Sequence, residues 1–108
     1  MTYYPDTWII VELKGTDVPK PYHRILAGWS GSYLYGSSWK MSSGVTKIIE
    51  QENHWEIHNH SGSIYQCPKG REQLSLYTQS ILESYSQDNS EKIAINPVSL
   101  ESIYDLYR

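Results

Sequence analysis

The chain has 108 residues, 39% hydrophobic and 19% charged, with a formal net charge of −3; this is the make-up of one soluble domain over residues 1–108, with no room for a second core. The acidic balance excludes a protein built to neutralise duplex nucleic acid, whose affinity rests on Lys and Arg at phosphates. A lone cysteine, Cys67, closes no intramolecular disulfide, and no apolar leader or run near the ~20 residues that span a bilayer is present, so the reading is a cytosolic protein without membrane association.

Residues 7–13, rich in Trp and β-branched side chains, predict a first strand that ends in a loop holding Gly15, Pro19 and Pro21. A second strand follows over residues 22–29, with Tyr22, Arg24 and Leu26 on one face and His23, Ile25 and Ala27 on the other, a pattern for a strand covered on both sides. Short strands are expected at 33–35 and 38–42. Residues 45–51 and 54–58 predict a hairpin turned at Glu52-Asn53, and Ser61-Gly62-Ser63 leads into a strand over 64–67 that Pro68 ends. After Pro68 the period changes to about 3.6. Leu74, Tyr77, Ile81 and Tyr85 then predict the inward face of an amphipathic helix over residues 70–86. Residues 92–96 suggest a short strand, and Ser99 is the expected N-cap of a last helix over 99–107 with Leu100, Ile103, Tyr104 and Tyr107 inward. The sum is an α+β fold: one twisted antiparallel sheet of five to six strands, one helix packed on it and a short C-terminal helix.

Phe is absent while Tyr occurs ten times and Trp four times, so the aromatic mass carries polar tips suited to holding ligands or partners. These rings concentrate between Gly28 and Gly44, where Lys40 is the one charged residue. Glycines let a backbone approach a ligand, serines donate and accept hydrogen bonds, and Trp or Tyr faces stack on nucleobases. A nucleotide-type ligand fits that combination, with Trp29, Ser30, Tyr33, Tyr35 and Trp39 around the base and sugar and Arg24 and Lys40 at phosphate oxygens. The competing explanation is a pair of Gly/Ser-rich hairpins whose rings pack on a neighbouring strand. No phosphate-loop or dinucleotide spacing is present.

His54, Glu56, His58 and His60 alternate, so a strand running through them places all four on one face. Imidazoles two residues apart plus a carboxylate are a conceivable metal set; a solvent-facing polar stripe predicts the same pattern and is the preferred reading. No cofactor and no metal are expected. Cys67, at the end of an apolar strand, reads as a small buried residue, and no serine stands in a hydrolase elbow. The expectation is a protein without catalysis.

The block Tyr22-His23-Arg24-Ile25-Leu26-Ala27-Gly28-Trp29-Ser30-Gly31-Ser32-Tyr33-Leu34, with Ser38-Trp39-Lys40-Met41-Ser42-Ser43-Gly44 and Ser61-Gly62-Ser63-Ile64-Tyr65-Gln66-Cys67, resembles a group of small uncharacterised proteins of tailed phages of marine and cyanobacterial hosts. The likeness covers residues 8–71 and departs from the group in having no acidic residue between Tyr35 and Ser38. It implies a phage accessory protein in the host cytoplasm. Three functions compete under that reading: sequestration of a small nucleotide-type ligand such as a host defence signal, inhibition of a host protein by the same aromatics, and metal-dependent hydrolysis at the His54 to His60 face. The first is preferred. A homo-oligomer is also expected, since many Tyr and Trp in a short chain call for a self-complementary cover.

Overall fold

In a computed structural model, which describes residues 1–16, 18–31, 36–88 and 93–108, the described residues form eight strands and two helices in an α+β arrangement. In chain order these are β1 (Thr2–Tyr3), β2 (Thr7–Gly15), β3 (Tyr22–Trp29), β4 (Ser38–Met41), β5 (Val45–Glu50), β6 (His54–Asn59), β7 (Ile64–Pro68), α1 (Leu76–Asp88), β8 (Ile93–Val98) and α2 (Leu100–Tyr107). The strand expected at 33–35 lies outside the described residues.

The strands divide into two four-stranded sheets, ordered β4-β3-β2-β8 and β1-β7-β6-β5, which corrects the expectation of one sheet. The cause lies in β2 and β3. Trp8 and Ile10 face one side of the first sheet with Ile25 and Ala27, while Ile9, Val11, Leu13 and Leu26 face the other, and all of them are buried. A sheet apolar on both faces must be covered on both. The β5-β6-β7 meander therefore folds over one face instead of extending the sheet edge, and α1 covers the other.

The second sheet is apolar on its inner face alone. Trp55, Ile57, Tyr65 and Cys67 point inward and are buried, alternating with half-buried His54, Glu56, His58 and Gln66. A register shift between Val45 and Lys47 inserts an extra residue in β5, so Val45 and Ile48, three apart, both enter the core. β1 joins β7 in parallel, and Tyr3 stacks on Tyr65 with ring centroids 4.9 Å apart. Two residues are too few for a periodic signal, so β1 is not legible in the sequence. β8 runs to Val98 and includes Pro97; it is the sheet's edge, where a missing N–H is tolerated.

The helix expected over 70–86 begins at Leu76. Gly70 occupies a turn at φ +84, and the start is set by a reciprocal cap: Ser75 Oγ accepts the Thr78 N–H at 3.1 Å and Thr78 Oγ1 accepts the Ser75 N–H at 2.9 Å. Thr78 and Leu82 are buried, Leu74, Ile81 and Tyr85 are half-buried beside them, and Tyr77, expected inward, is 38% exposed. α2 follows the expectation. Ser99 caps it by accepting the Ser102 N–H, the Glu72 carboxylate accepts the Leu100 N–H at 2.8 Å, and Leu100 and Ile103 are buried in the core between the sheets. Among the described residues no helix is long and apolar enough to cross a membrane.

Candidate functional site

Two glycines of the 28–44 segment are required by the chain itself. A Cβ on Gly28 would lie 2.7 Å from Thr78 Cγ2, and one on Gly31 would lie 0.9 Å from the Gly36 carbonyl oxygen. The close approach that glycine permits is therefore made here by α1 and by the opposing backbone. A ligand is not needed to explain either position.

The aromatic residues of the segment do not share one surface. In the β3–β4 register Gly28 faces Trp39 and Trp29 faces Ser38, so Trp29 and Trp39 project from opposite faces of the first sheet. Trp29 sits against the core between the sheets, edge-on to Tyr3 at 6.3 Å, and its Nε1–H donates to the Tyr4 carbonyl at 3.0 Å. Lys40 is on that side too, with Nζ 5.3 Å from the Tyr3 ring centroid. Ser30 is exposed and its backbone N–H donates to Asp6 Oδ2 at 2.8 Å. Trp39 lies on the α1 side, edge-on to Tyr85 at 5.9 Å. Tyr33 and Tyr35 lie outside the described residues. Trp29 and Trp39 therefore make no single stacking platform, and the candidate residues divide between the two faces.

Arg24 belongs to the half on the α1 side. It is half-buried on β3, level with Tyr22 and Leu26, and its Nε–H donates to the Ser42 carbonyl. That carbonyl is held in place because Ser42 is buried, its N–H donates to the Ile25 carbonyl at 2.9 Å and its Oγ accepts the Ile25 N–H at 2.8 Å. Beside the guanidinium lies a crevice of about 120 Å³ walled by Tyr22, Tyr85, Leu13, Ile93 and Ile95. Among the described residues no carboxylate comes within salt-bridge distance of Arg24. A guanidinium drawn into aromatic and aliphatic surroundings without an anion is the kind of group that binds a carboxylate or phosphate in bidentate fashion.

The histidine stripe is shorter than its spacing suggested. β6 ends at Asn59, and His60 is exposed in the following turn, where its N–H bonds the Gly44 carbonyl. His58 Nε2 pairs with Glu56 Oε2 at 2.8 Å, and among the described residues no three His, Cys, Asp or Glu side chains gather as a metal-binding group. Cys67 is fully buried, and burial followed by the Glu72 charge pushes its thiol well above the ordinary range, the opposite of what a nucleophile needs.

A polar chain that the sequence reading did not single out crosses the inner face at the other end of β3. His23, 2% exposed, stands opposite Glu12 in the β2–β3 register. Its Nε2 lies 3.0 Å from Glu12 Oε2 and its Nδ1 lies 2.6 Å from the Tyr107 hydroxyl. An ionised carboxylate only accepts, so in the neutral ring Nε2 carries the proton and Nδ1 accepts the Tyr107 O–H. Burial, then the Glu12 charge, pushes the Tyr107 phenol upward, which keeps it a donor. The available signal was a polar His23 on the same face as Ile25 and Ala27.

Comparison with known proteins adds no relative: no family model, no curated protein and no solved structure matches the chain.

Proposed function

We propose that this protein is a binding module for a small nucleotide-type ligand, which it holds and returns without covalent change. The observation that carries the reading is Arg24: a half-buried guanidinium, oriented by the Ser42 carbonyl, next to Tyr22 and Tyr85 and without an anionic partner among the described residues. The crevice has room for a phosphoryl group, with Trp39 on the same face available for stacking through its contact with Tyr85. Trp29, Ser30 and Lys40 form no part of this reduced site. In the setting that the phage resemblance implies, such a module would sequester a host signal in the host cytoplasm, as a homo-oligomer.

The test is calorimetric titration with cyclic dinucleotides, cyclic trinucleotides and ADP-ribose derivatives, followed by chromatography of the recovered ligand. Binding that is lost in Arg24→Gln, with the ligand recovered intact, is the expected result. A cleaved product would overturn the non-catalytic reading, and no binding across the set would overturn the ligand class.

A second reading is favoured by the first turn of α1, where Leu76 is 89% exposed beside exposed Tyr77. Large apolar side chains displayed together suit a protein partner, and the host-protein function would use this surface.

A further inference from the structure

We propose that the cavity between the start of β3 and the last turn of α2 is a second ligand site, taking a small amphipathic anion: an apolar ring or chain that carries a carboxylate or sulfonate. It stands independently of the Arg24 reading, although Tyr22 borders both places.

The cavity holds about 430 Å³, within the roughly 300–1,000 Å³ of small-molecule sites. Its walls are Pro21, Val45, Leu106 and the rings of Tyr22 and Tyr107. Leu106 is 70% exposed on a helix whose Leu100 and Ile103 are buried, so the fold does not use this leucine for its own core. An apolar body laid against it would gain the contact that folding leaves unmade. Lys20 lines the same cavity, and among the described residues no carboxylate is within salt-bridge distance of it. Its ammonium selects an anion over a neutral or cationic ligand.

His23 and Tyr107, two members of the Glu12–His23–Tyr107 chain, also line the cavity. Where the neutral His23 ring accepts the Tyr107 O–H, the Tyr107 oxygen keeps acceptor capacity for an N–H or O–H that a ligand brings. Both partners of His23 are fixed by their elements, Glu12 on β2 and Tyr107 on α2, so this acceptor is pre-positioned before binding. Indole acetate and anilinonaphthalene sulfonate each combine an aromatic body, an N–H and an anion, and serve as probes.

The experiment is fluorescence and calorimetric titration of the full chain with these two probes. Saturable binding of one equivalent is expected. Leu106→Asp should weaken it by roughly tenfold, through lost apolar contact and charge repulsion, and Lys20→Glu several-fold. Both altered side chains are exposed, and unchanged thermal melts establish that the variants are folded. Binding that ignores both substitutions overturns the site. Self-association that Leu106→Asp abolishes, with neither probe bound, assigns the wall to a second copy of the chain and likewise overturns it.

Discussion

Thr78 on α1 occupies the space where a side chain at Gly28 on β3 would begin, with an ideal Cβ there 2.7 Å from Thr78 Cγ2 and 3.0 Å from Thr7 Oγ1. This contact sets how closely the helix lies on the first sheet, and so where Tyr85 stands relative to Trp39 and Arg24.

Gly28→Ala is therefore expected to destabilise the protein by about 1–3 kcal/mol, the usual cost of overpacking, as measured by urea unfolding. Thr78→Ser removes the offending methyl and keeps the capping hydroxyl, so in that background the alanine should cost less. An equal cost in both backgrounds would place the clash elsewhere.

The helix phase makes a second comparison. Leu82 is 9% exposed and belongs to the buried cluster, whereas Ile81 is only partly covered. Leu82→Ala should cost about 2–4 kcal/mol and Ile81→Ala clearly less in the same unfolding assay. The reverse order would restore the phase in which Tyr77 and Ile81 form the inner stripe.

The sequence made the β2–β3 pairing, the β5-β6-β7 meander and α2 legible, because each has alternation or a cap with a clear physical meaning. It did not reveal two sheets, since a strand apolar on both faces says that something covers it and not whether that is a helix or a second sheet. The start of α1 is not legible because Leu74 continues the helical period of Tyr77, Ile81 and Tyr85, whereas the helix begins at Leu76, after the Ser75–Thr78 cap, and turns Thr78 and Leu82 to the core. At the candidate site, Arg24 was recognisable as a cation among apolar neighbours. The separation of Trp29 from Trp39 depends on a pairing register that no local signal fixes. Glu12, His23 and Tyr107 come together from three elements, a juxtaposition that spacing along the chain does not encode.

Tyr65 is fully buried, and its hydroxyl has no hydrogen-bond partner among the described residues. An unpaired buried polar group costs about 1–3 kcal/mol, so Tyr65→Phe is expected to leave stability unchanged or raise it. A loss above about 1 kcal/mol in chemical unfolding would mean that the hydroxyl is satisfied in solution.

The same residue predicts lability to base. Burial, reinforced by Tyr3 and Cys67, pushes the Tyr65 phenol up from 10.0 to about 12. A folded-state value above the unfolded one means that the contribution is complete below pH 10.0 and is lost as pH rises toward about 12, because the unfolded chain gives up its proton first. Tyr65 alone accounts for about 3 kcal/mol over that interval, and the raised Cys67 and Tyr107 act in the same direction. Urea midpoints should fall steeply across this range and less so in Tyr65→Phe; a flat profile would contradict the burial of these groups.

Trp39→Ala separates stacking from phosphate recognition. A base resting on this ring should lose about 1–3 kcal/mol of binding, while Trp29→Ala, on the other face, should leave ligand affinity unchanged. Calorimetry with the best nucleotide-type ligand reads both, and equal losses would return Trp29 to the site.

The central claim is that the Arg24 guanidinium is an anion receptor, and side-chain NMR of the arginine Nε–H and Nη–H groups during titration with ADP-ribose tests it most directly. The account predicts that the Arg24 signals shift and sharpen in a saturable manner together with the ring signals of Tyr22 and Tyr85, while Arg71 and Arg108 stay unchanged. Saturation that moves Trp29 and Lys40 but leaves Arg24 untouched, or no response from Arg24 to any phosphate-bearing ligand, would contradict it.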